Sequence, residues 1–365
     1  MIVSSPRDRT TVPPVELALE IRPRARLDVI DIRARAAEVF GAVLAAHQRC
    51  LYVSRHTTAG FLPQSFAARL TARPEAIHGY LDVFRTVFPE GAGYLHDQLH
   101  LRHELAPNER AVEPTNADSH LAFISGGLRP CVSYNARRPG AVYFIDLDGT
   151  FQGQARRRVT TLIGYDHEEE VASTTFEVPV SAHPIDAVNL KDGQLGIYEQ
   201  IKAFIEGHGV TKGRVRLALA AGEQHASLTV NEYETLLMQH DLAEVLHNPL
   251  RFAAEKARHA WNDPLTLPTK ALGYAQYDLV RALNRLVEVL GLEASRIERI
   301  LARTLEAPAS RFLRMRRSVD LVVSDSNQSG RGAIVEGTYQ TPILMQWRPA
   351  PGAVRRVDVR LTRLR

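Results

Sequence analysis

Alternating apolar and charged residues mark the first structural element of this chain. Val15–Ile21 has the sequence V-E-L-A-L-E-I, and its two-residue period predicts a half-buried strand. Residues 27–47 fit a short extended piece running into a helix, and Arg49–Ser54 fits a buried strand. Residues 65–88 carry apolar side chains at helical spacing. The first part of the chain is therefore predicted to be strand, helix, strand and helix.

The same order of elements begins again near residue 174. After predicted strands at 130–134, 141–147 and 158–165, the second series consists of strand 174–180, helix 196–208, strand 213–220, a long helix after 232, and strands 318–323, 332–336, 342–347 and 356–361. Each series closes with an apolar strand, a turn, two or three arginines and an alternating strand. This order predicts a duplication at the scale of a domain. The alternative is that any two hairpins look alike.

The second series also contains extra helical sequence, at about residues 247–311. Three histidines fall on or beside these predicted helices with no partner pattern: His240, His247 and His259. We expect them to be surface or packing residues.

Length and composition restrict the class of protein. A chain of 365 residues suggests two domains. It has no apolar run of the ~18 residues that a membrane span needs, and its first residues have no hydrophobic signal core. We expect residues 1–14 to be a disordered leader. Cys50 and Cys131 lie in apolar, strand-like contexts. These features favour a soluble, cytoplasmic protein with reduced thiols.

The basic charge has two explanations. The net charge is +4 and the isoelectric point is about 9.1, with arginine runs at 156–158 and 355–356 that we predict to lie in exposed turns. A nucleic-acid face is one possibility. An aromatic fraction of 7% and the lack of a recognised basic or stacking motif argue against it. A solvated face is favoured, and binding of a small anion comes next.

Histidines and carboxylates concentrate between residues 94 and 120. The polar residues of this stretch are His96, Asp97, His100, His103, Glu104, Asn116, Asp118 and His120. Imidazole and carboxylate at this density suggest a borderline metal such as zinc. A polar surface loop is the alternative, because no spacing here matches a standard zinc motif. Residue types alone leave the two interpretations open.

Several short motifs resemble a known family. H-T-T-A at 56–59, Y-L-H-D at 94–97 and N-A-D-S-H at 116–120 resemble the signature of the YjbQ-type proteins, the secondary thiamine-phosphate synthase family. In the second half, S-L-T-V-N-E at 227–232 and G-T-Y-Q at 337–340 are similar to two other segments of that family. The resemblance implies an α+β fold of two tandem YjbQ-like β-sandwich units with flanking helices, at 15–168 and 173–365. The insertion at about 247–311 would belong to the second unit. It also implies a homo-oligomer with sites near subunit boundaries.

Each half holds the part of the signature that the other half lacks. The first keeps His56 but has Gln64-Ser65 in place of the family's Asn-Glu. The second keeps Asn231-Glu232 but has Glu223 where the histidine should be. The first has residues 135–141 in place of G-T-Y-Q, and the second has lost N-A-D-S-H. We hypothesise one composite site to which both halves contribute. The alternative is that both copies have decayed and the protein only binds something.

The resemblance and the residue chemistry together assign candidate roles. The metal ligands would be His56, His96 and His120, with zinc the expected metal and His103 in reserve. Asp97 and Asp118 would accept hydrogen bonds that fix imidazole tautomers. An equally good interpretation of Asp118 is a helix cap. Glu232 would be the general acid/base, with a pKa raised by its dry surroundings, or else an ordinary acid at a helix N-terminus.

The remaining candidates surround a bound substrate. The predicted catalytic residues are Glu232, Asn231 and Asp118. The predicted substrate-binding residues are Arg55, Thr57, Asn116, Thr338 and Gln340. Arg55, and with less support Arg138, could hold a phosphate, whereas Tyr339 is expected to pack. No nucleophile elbow or phosphate-cradling glycine loop is present in the sequence.

These residues favour a metal-dependent enzyme that acts on a small phosphorylated or heteroaromatic substrate. The resemblance implies thiamine-phosphate synthesis, in which a pyrimidine pyrophosphate is joined to a thiazole phosphate. A metal-assisted hydrolase or lyase would use the same residues. The alternative function is a non-catalytic binding or assembly protein with a vestigial metal site. The expected partner is a small anionic molecule, with no membrane and no nucleic acid.

Overall fold

A computed structural model of the chain describes residues 12–70, 74–102, 105–182, 186–232, 316–326 and 328–365. The strands of its first half are β1 Val15–Ile21, β2 Asp28–Asp31, β3 Arg49–Ser54, β4 Ala59–Phe61, β5 Cys131–Asn135, β6 Tyr143–Asp146, β7 Thr150–Phe151, β8 Gln154–Ala155 and β9 Arg158–Tyr165. The helices are α1 Ile32–Phe40, α2 Gln64–Arg69, α3 Pro74–Val87, α4 Pro107–Arg110 and α5 Ala117–Ser125, with 3₁₀ turns at Val43–Ala46 and Leu99–Leu101.

The second half contains eight described strands and one described α-helix. In chain order they are β10 Glu168–Pro179, β11 Asp186–Asn189, α6 Ile197–Gly207, β12 Lys212–Leu219, β13 Ala226–Asn231, β14 Ser318–Ser324, β15 Ala333–Val335, β16 Thr341–Gln346 and β17 Val354–Leu364, with a 3₁₀ turn at Pro351–Ala353. None of the described helices is long and apolar enough to cross a membrane.

The strands form two pairs of antiparallel sheets. In the first half the sheet orders are β1-β9-β3-β5 and β2-β6-β4, with β7 and β8 as a separate hairpin. In the second half they are β10-β17-β12-β14-β15 and β11-β16-β13. The order of the first pair therefore recurs in the second, apart from the additional edge strand β15. The protein has a mixed architecture built mostly from sheets with a few helices.

Two large cores lie mostly in the first half and in the second half, respectively, and a third apolar cluster joins the halves. The first core also includes Ala187, Ile343 and Met345 of the second half. In the first core, α3 buries one amphipathic face, including Ile77, Leu81 and Phe84. The joining cluster contains residues of β3, β5 and β9 from the first half and of β14 and β17 from the second. Its members are Leu51, Val53, Cys131, Ile163, Tyr165, Val322 and Leu364. Because β3 buries both faces, its sequence contains an apolar run, Cys50–Val53.

Several predicted elements are confirmed. β1, β3 and β9 have the predicted bounds, and α6 differs from its prediction by one residue at each end. The strand predicted at 174–180 is part of the longer β10, which begins at Glu168. β4 and β11 were not predicted. The helix expected after 232 and the insertion at about 247–311 lie outside the described residues, as do His240, His247 and His259.

The prediction that both arginine runs lie in exposed turns is wrong for two of the arginines. Arg158 and Arg355 are each 3% exposed. The Arg158 guanidinium donates to Asp146 at 2.7 and 2.9 Å, and Arg355 Nε donates to Gln346 Oε1 at 3.2 Å. At the start of β9 and β17, alternation turns these side chains inward, where a polar partner on the neighbouring sheet satisfies them.

Candidate functional site

Three buried side chains from distant parts of the sequence meet at one place between the halves. His96 lies in the segment between α3 and α5, His120 lies on α5, and Glu232 follows the end of β13. Every residue of α5 is buried, so its polar side chains face the protein interior. β13 is buried along its whole length and delivers Glu232 to the same place.

His96, His120 and Glu232 form a compact group, which we call the His-His-Glu cluster. One nitrogen or oxygen from each residue lies within 4.8 Å of the others. His120 Nε2 is 3.4 Å from Glu232 Oε2, and His96 Nε2 is 3.8 Å from Glu232 Oε1. His96, His120 and Glu232 are 0%, 1% and 6% exposed, respectively. Within the described part of the chain, this is the one group of three or more such side chains with a metal-binding arrangement.

Asn231 determines which nitrogen of His120 faces the cluster. The Asn231 amide donates from Nδ2 to the Thr57 carbonyl oxygen at 3.0 Å, and its Oδ1 accepts the Glu232 N–H at 2.8 Å. The same Oδ1 lies 2.7 Å from His120 Nδ1. Because an amide oxygen only accepts, His120 Nδ1 must be the donor. In the neutral ring, Nε2 then presents a lone pair to Glu232.

Asp97 has the same effect on His96. His96 Nδ1 lies 3.1 Å from Asp97 Oδ1, which also accepts the Ala117 N–H at 3.0 Å. A carboxylate held by a backbone donor keeps the imidazole hydrogen on Nδ1, so His96 Nε2 also faces Glu232. The expectation that Asp97 would accept a hydrogen bond from an imidazole agrees with this contact.

The charges of the cluster differ from those expected from the sequence. Burial favours the neutral acid of Glu232, but the hydrogen bond from His96 and the charges of His120, His96 and Arg102 lower its pKa to about 2. The predicted rise of this pKa is therefore wrong. Burial disfavours the cation of His96, but hydrogen bonds and charges from Asp97 and Glu232 raise its pKa to about 9. Burial lowers the pKa of His120.

The donor atoms fit a divalent metal ion. Two imidazoles and one carboxylate form a ligand set of catalytic zinc sites, and the same set suits Fe²⁺. His120 Nε2 is buried and has no hydrogen-bond partner among the described residues. Two inward lone pairs beside an ionised carboxylate repel one another unless a cation lies between them. A proton on His96 or a bound metal ion would supply the positive charge that relieves this repulsion.

Arg102 is a site residue that the sequence did not indicate. It is 2% exposed, and its Nη2 lies 3.4 Å from Glu232 Oε1 while Nη1 donates to Glu113 Oε1 at 2.9 Å. It lies in the histidine-rich segment, but no motif distinguishes it there from a solvated arginine. Only the folded chain, which brings Arg102 to Glu232 across 130 residues of sequence, reveals the contact.

The structure does not bring His56 into the His-His-Glu cluster. His56 Nε2 accepts the backbone N–H of Val159 at 3.0 Å, and burial together with the charge of Arg158 lowers the pKa of His56 to about 3. Glu223 has the corresponding contact in the second half, where its Oε1 accepts the backbone N–H of Arg356 at 2.9 Å. The correspondence of these two positions in a duplicated chain stays a prediction.

Asn116 and Asp118 are held by other partners. Asn116 Nδ2 donates to Asp148 Oδ2 at 2.7 Å, and Asp118 Oδ1 accepts from Arg26 Nη2 at 2.7 Å. Burial raises the pKa of Asp118 to about 6 against the opposing effect of Arg26. These contacts connect the start of α5 to the loops that surround it, and neither side chain belongs to the cluster.

The remaining predicted substrate residues lie around the loop at 54–57. Gln340 Nε2 donates to the carbonyl oxygens of Ser54 and His56, both at 3.0 Å. Arg55 Nη2 donates to Thr161 Oγ1 at 3.0 Å. The Thr57 carbonyl oxygen accepts a hydrogen bond from Asn231. The side chains of Thr338 and Arg138 are exposed. His103 lies outside the described residues.

Tyr339 does not pack as predicted. Its side chain is 53% exposed, on the turn between β15 and β16. The adjacent Gln340 is buried instead and fastens this turn to the first half. The turn therefore places one aromatic side chain at the surface of the joint between the halves.

Comparison with known proteins gives similarity of fold over about half of the chain. A YbjQ-like protein of unknown function from Sulfolobus solfataricus has 15% identity and a TM-score of 0.28, and the match covers 54% of this chain and 99% of that one. An uncharacterised YjbQ/UPF0047-family protein from Clostridium acetobutylicum has 11% identity and a TM-score of 0.28, with coverage of 52% and 98%. A conserved hypothetical protein from Thermus thermophilus has 19% identity, a TM-score of 0.25 and coverage of 52% and 98%.

No family model matches the chain, and no curated protein matches it. Because the TM-scores are low, these similarities carry no weight for activity or assembly.

Proposed function

We propose that this protein is a metal-dependent enzyme whose single site is shared by its two halves. The observation that supports this most directly is the His-His-Glu cluster. Its two imidazoles come from the first half and its carboxylate from the second, and all three are buried. A buried ionised carboxylate beside two inward imidazole nitrogens is costly unless it has a cationic partner.

Some residues of the chain would bind such an ion directly, and others would orient the ligands. His96, His120 and Glu232 would be its ligands, and zinc is the metal we propose. When bound, zinc polarises a substrate oxygen or lowers the pKa of a bound water. Asn231 and Asp97 keep the imidazole hydrogens on Nδ1, away from the ion. The low pKa of Glu232 favours a role as ligand over one as general acid/base.

A duplicated chain would explain why the site is divided. The recurrence of the sheet order supports this, as do the matching contacts of His56 and Glu223 with a backbone N–H. In such a chain each copy can lose what the other supplies. We infer that the first half became the imidazole donor and the second half the donor of the Asn-Glu pair.

The proposed substrate is a small phosphorylated or heteroaromatic molecule. The motifs at 56–59, 94–97, 116–120, 227–232 and 337–340 resemble the YjbQ-type family, which favours a transfer of the thiamine-phosphate-synthase kind. Metal-assisted hydrolysis of a phosphate ester would use the same ligands. The alternative is a binding or assembly protein that holds a metal without turnover.

Activity with and without metal tests the proposal. Protein treated with a chelator and then reloaded with zinc is given a pyrimidine pyrophosphate and a thiazole phosphate, and in parallel a phosphate monoester. We expect product only in the reloaded sample, and none with His120→Ala. His100→Ala, at an exposed position of the same segment, is the matched control and should retain the activity. Tight zinc binding with no turnover of either kind would favour the binding protein instead.

A further inference from the structure

The side-chain amide of Gln340 is buried at the joint between the halves, and both of its hydrogens are used there. Gln340 is 4% exposed, and its Nε2 donates to the carbonyl oxygens of Ser54 and His56, both at 3.0 Å. Its Oε1 accepts the Gly337 N–H at 3.0 Å. Lys191 Nζ donates to the Gln340 backbone carbonyl oxygen at 2.5 Å. The turn that carries Gln340 is therefore held within its own half and holds a loop of the other.

The loop carbonyl that Gln340 holds is next to the one that orients Asn231. The Thr57 carbonyl oxygen accepts from Asn231 Nδ2 at 3.0 Å, and Asn231 Oδ1 lies 2.7 Å from His120 Nδ1. Neighbouring peptide planes share one Cα atom, so a fixed His56 carbonyl group restricts the direction of the Thr57 carbonyl group. The series of contacts crosses the joint three times, from Gln340 to the loop, back to Asn231 and on to His120.

A rotated Asn231 amide would disable His120 as a ligand. If Asn231 Nδ2 faced His120 Nδ1, that nitrogen would have to accept, and the hydrogen of the neutral ring would move to Nε2. Nε2 would then lack the lone pair that a metal needs, and its hydrogen would face Glu232 Oε2, 3.4 Å away. Two groups oppose this rotation, the Glu232 N–H and the Thr57 carbonyl oxygen. Only the second of them depends on the joint.

We propose that Gln340 is a positioning residue of the metal site and acts on it through Asn231. The inference rests on the proposed function, and it assigns to the joint a share of the affinity for the metal. Without the Gln340 amide, two carbonyl oxygens of the loop lose their donor, the loop relaxes, and Asn231 is oriented by the Glu232 N–H alone. The share of His120 rings with the hydrogen on Nε2 then rises, and these rings bind no metal.

A double-mutant cycle on zinc affinity tests whether Gln340 acts through Asn231. Competition with a chromophoric chelator compares the wild type with Gln340→Met, Asn231→Ala and the double variant. We expect Gln340→Met alone to weaken zinc binding about tenfold, as is usual for a residue that orients a ligand. In the Asn231→Ala background the same substitution should cost less than about twofold, because the residue between Gln340 and His120 is already gone. Losses that simply multiply in the double variant would overturn the inference.

Gln340→Glu separates the contact with the loop from the contact within the turn. It keeps an oxygen for the Gly337 N–H but presents a second oxygen to the two loop carbonyls, so zinc affinity should fall at least as far as in Gln340→Met. Wild-type affinity in Gln340→Glu would confine the role of Gln340 to its own turn and overturn the inference. Gln346→Met is the control. It removes a completely buried glutamine whose Nε2 donates to the Ser181 carbonyl oxygen at 3.1 Å, and an equal loss of zinc affinity there would mean general destabilisation.

The tautomer of His120 in the metal-free protein gives a readout that needs no metal. Imidazole ¹⁵N chemical shifts at neutral pH, assigned by the signals lost in His120→Ala, show which nitrogen carries the hydrogen. We expect Nδ1 in the wild type and in Gln346→Met, and a measurable share on Nε2 in Gln340→Met. An unchanged tautomer in Gln340→Met overturns the role of Gln340, whatever happens to zinc affinity. A wild type that binds no zinc refutes the proposed function instead, and the effect of Gln340 on the tautomer is still measured.

Discussion

The position of one hydrogen on each imidazole decides what the site can bind. Asn231 fixes the hydrogen of His120 on Nδ1, and Asp97 does the same for His96. Both Nε2 atoms therefore point at Glu232, and a metal ligand needs such a lone pair. The amide and the carboxylate are oriented in turn by backbone groups, the Thr57 carbonyl oxygen and the Ala117 N–H.

Substitution of Asn231 tests this arrangement. Asn231→Ala leaves the imidazole of His120 without its acceptor, so we expect the affinity for zinc to fall by about 10- to 100-fold. The measurement is competition with a chromophoric chelator. Asn189→Ala removes an asparagine whose side chain accepts the Lys191 N–H within its own turn, and its zinc affinity should equal that of the wild type. Equal losses in both variants would point to general destabilisation.

The metal-free protein should show a pH dependence due to His96. The folded state raises the pKa of His96 from 6.5 to about 9. This stabilisation is therefore complete below about pH 6.5 and is lost as the pH rises through about 9. Its size is on the order of 3 kcal/mol. Urea unfolding of chelator-treated protein across this range should show the decline.

The variant His96→Gln isolates that titration. It cannot bind the proton, so its free energy of unfolding should change less over the same pH range. The acid side behaves oppositely, because the pKa of Glu232 is lowered from 4.5 to about 2. Stability from that group is present above about pH 4.5 and is lost as the pH falls towards about 2. An unchanged alkaline decline in His96→Gln would contradict the assignment.

Residue identities could be predicted better than residue contacts. The sequence indicated His96, His120, Asn231 and Glu232 as site residues, because imidazoles and carboxylates in dense motifs suggest a site. The sequence could not separate His56 from these residues. A histidine that accepts a backbone N–H cannot be distinguished by residue type from a histidine that binds a metal. Arg102 was missed because its burial depends on tertiary packing.

At the scale of elements, each of the two closing hairpins contains its own buried polar pair. In the first, Arg158 of β9 bonds to Asp146 of β6. In the second, Arg355 of β17 bonds to Gln346 of β16 and to Glu223. Asp146 is completely buried and Arg158 nearly so. Removal of one member of such a pair leaves an uncompensated charge in the interior.

Neighbouring arginines provide a matched test. Arg158→Met should destabilise the protein by about 3–5 kcal/mol, because Asp146 loses its buried partner. Arg157→Met removes an exposed arginine that pairs with Glu20 at the surface and should cost less than about 1 kcal/mol. Chemical denaturation measures both. Comparable losses would mean that the burial of Arg158 contributes little.

Elements with a clear period were predictable, and very short ones were not. β1 alternates over seven residues, so its bounds were predicted correctly. β4 has three residues and β11 has four, too few for a two-residue period to be recognised. Arg158 and Arg355 were predicted to be exposed because they are charged. Their positions in the alternation of β9 and β17 place both side chains on the buried face.

At the scale of the whole molecule, a turn of the second half closes on a loop of the first. Gln340 donates to the carbonyl oxygens of Ser54 and His56. Gly337 lies so close to the same loop that a Cβ there would be 1.8 Å from the Arg55 carbonyl oxygen. The absence of a side chain at Gly337 therefore permits the halves to approach at the site.

Gly337→Ala should open this joint. The added methyl must displace backbone of the loop at 54–57, so we expect a loss of about 2 kcal/mol or more in the free energy of unfolding and weaker zinc binding. Gly193→Ala is the control, because a Cβ at that position meets nothing within 4 Å. Thermal unfolding and zinc titration of the two variants give the comparison. A Gly337→Ala protein with wild-type stability would show that the halves do not meet as described.

The contact between the halves could be predicted from the distribution of motif residues alone. Each half lacked motif residues that the other kept, which predicted a joint site containing His120 and Glu232. Nothing in the sequence specified the contacts that make the joint, such as the apolar cluster of Leu51, Val322 and Leu364. These residues have the alternation of any buried strand, and which two sheets face each other depends on the folded chain.

The metal content of the purified chain tests the central claim most directly. Elemental analysis after dialysis should find about one divalent ion per chain in the wild type and in His100→Ala. It should find almost none in His120→Ala or in Glu232→Gln, although these two residues come from opposite halves. A wild type without metal, or variants that retain it fully, would contradict a metal site shared between the halves.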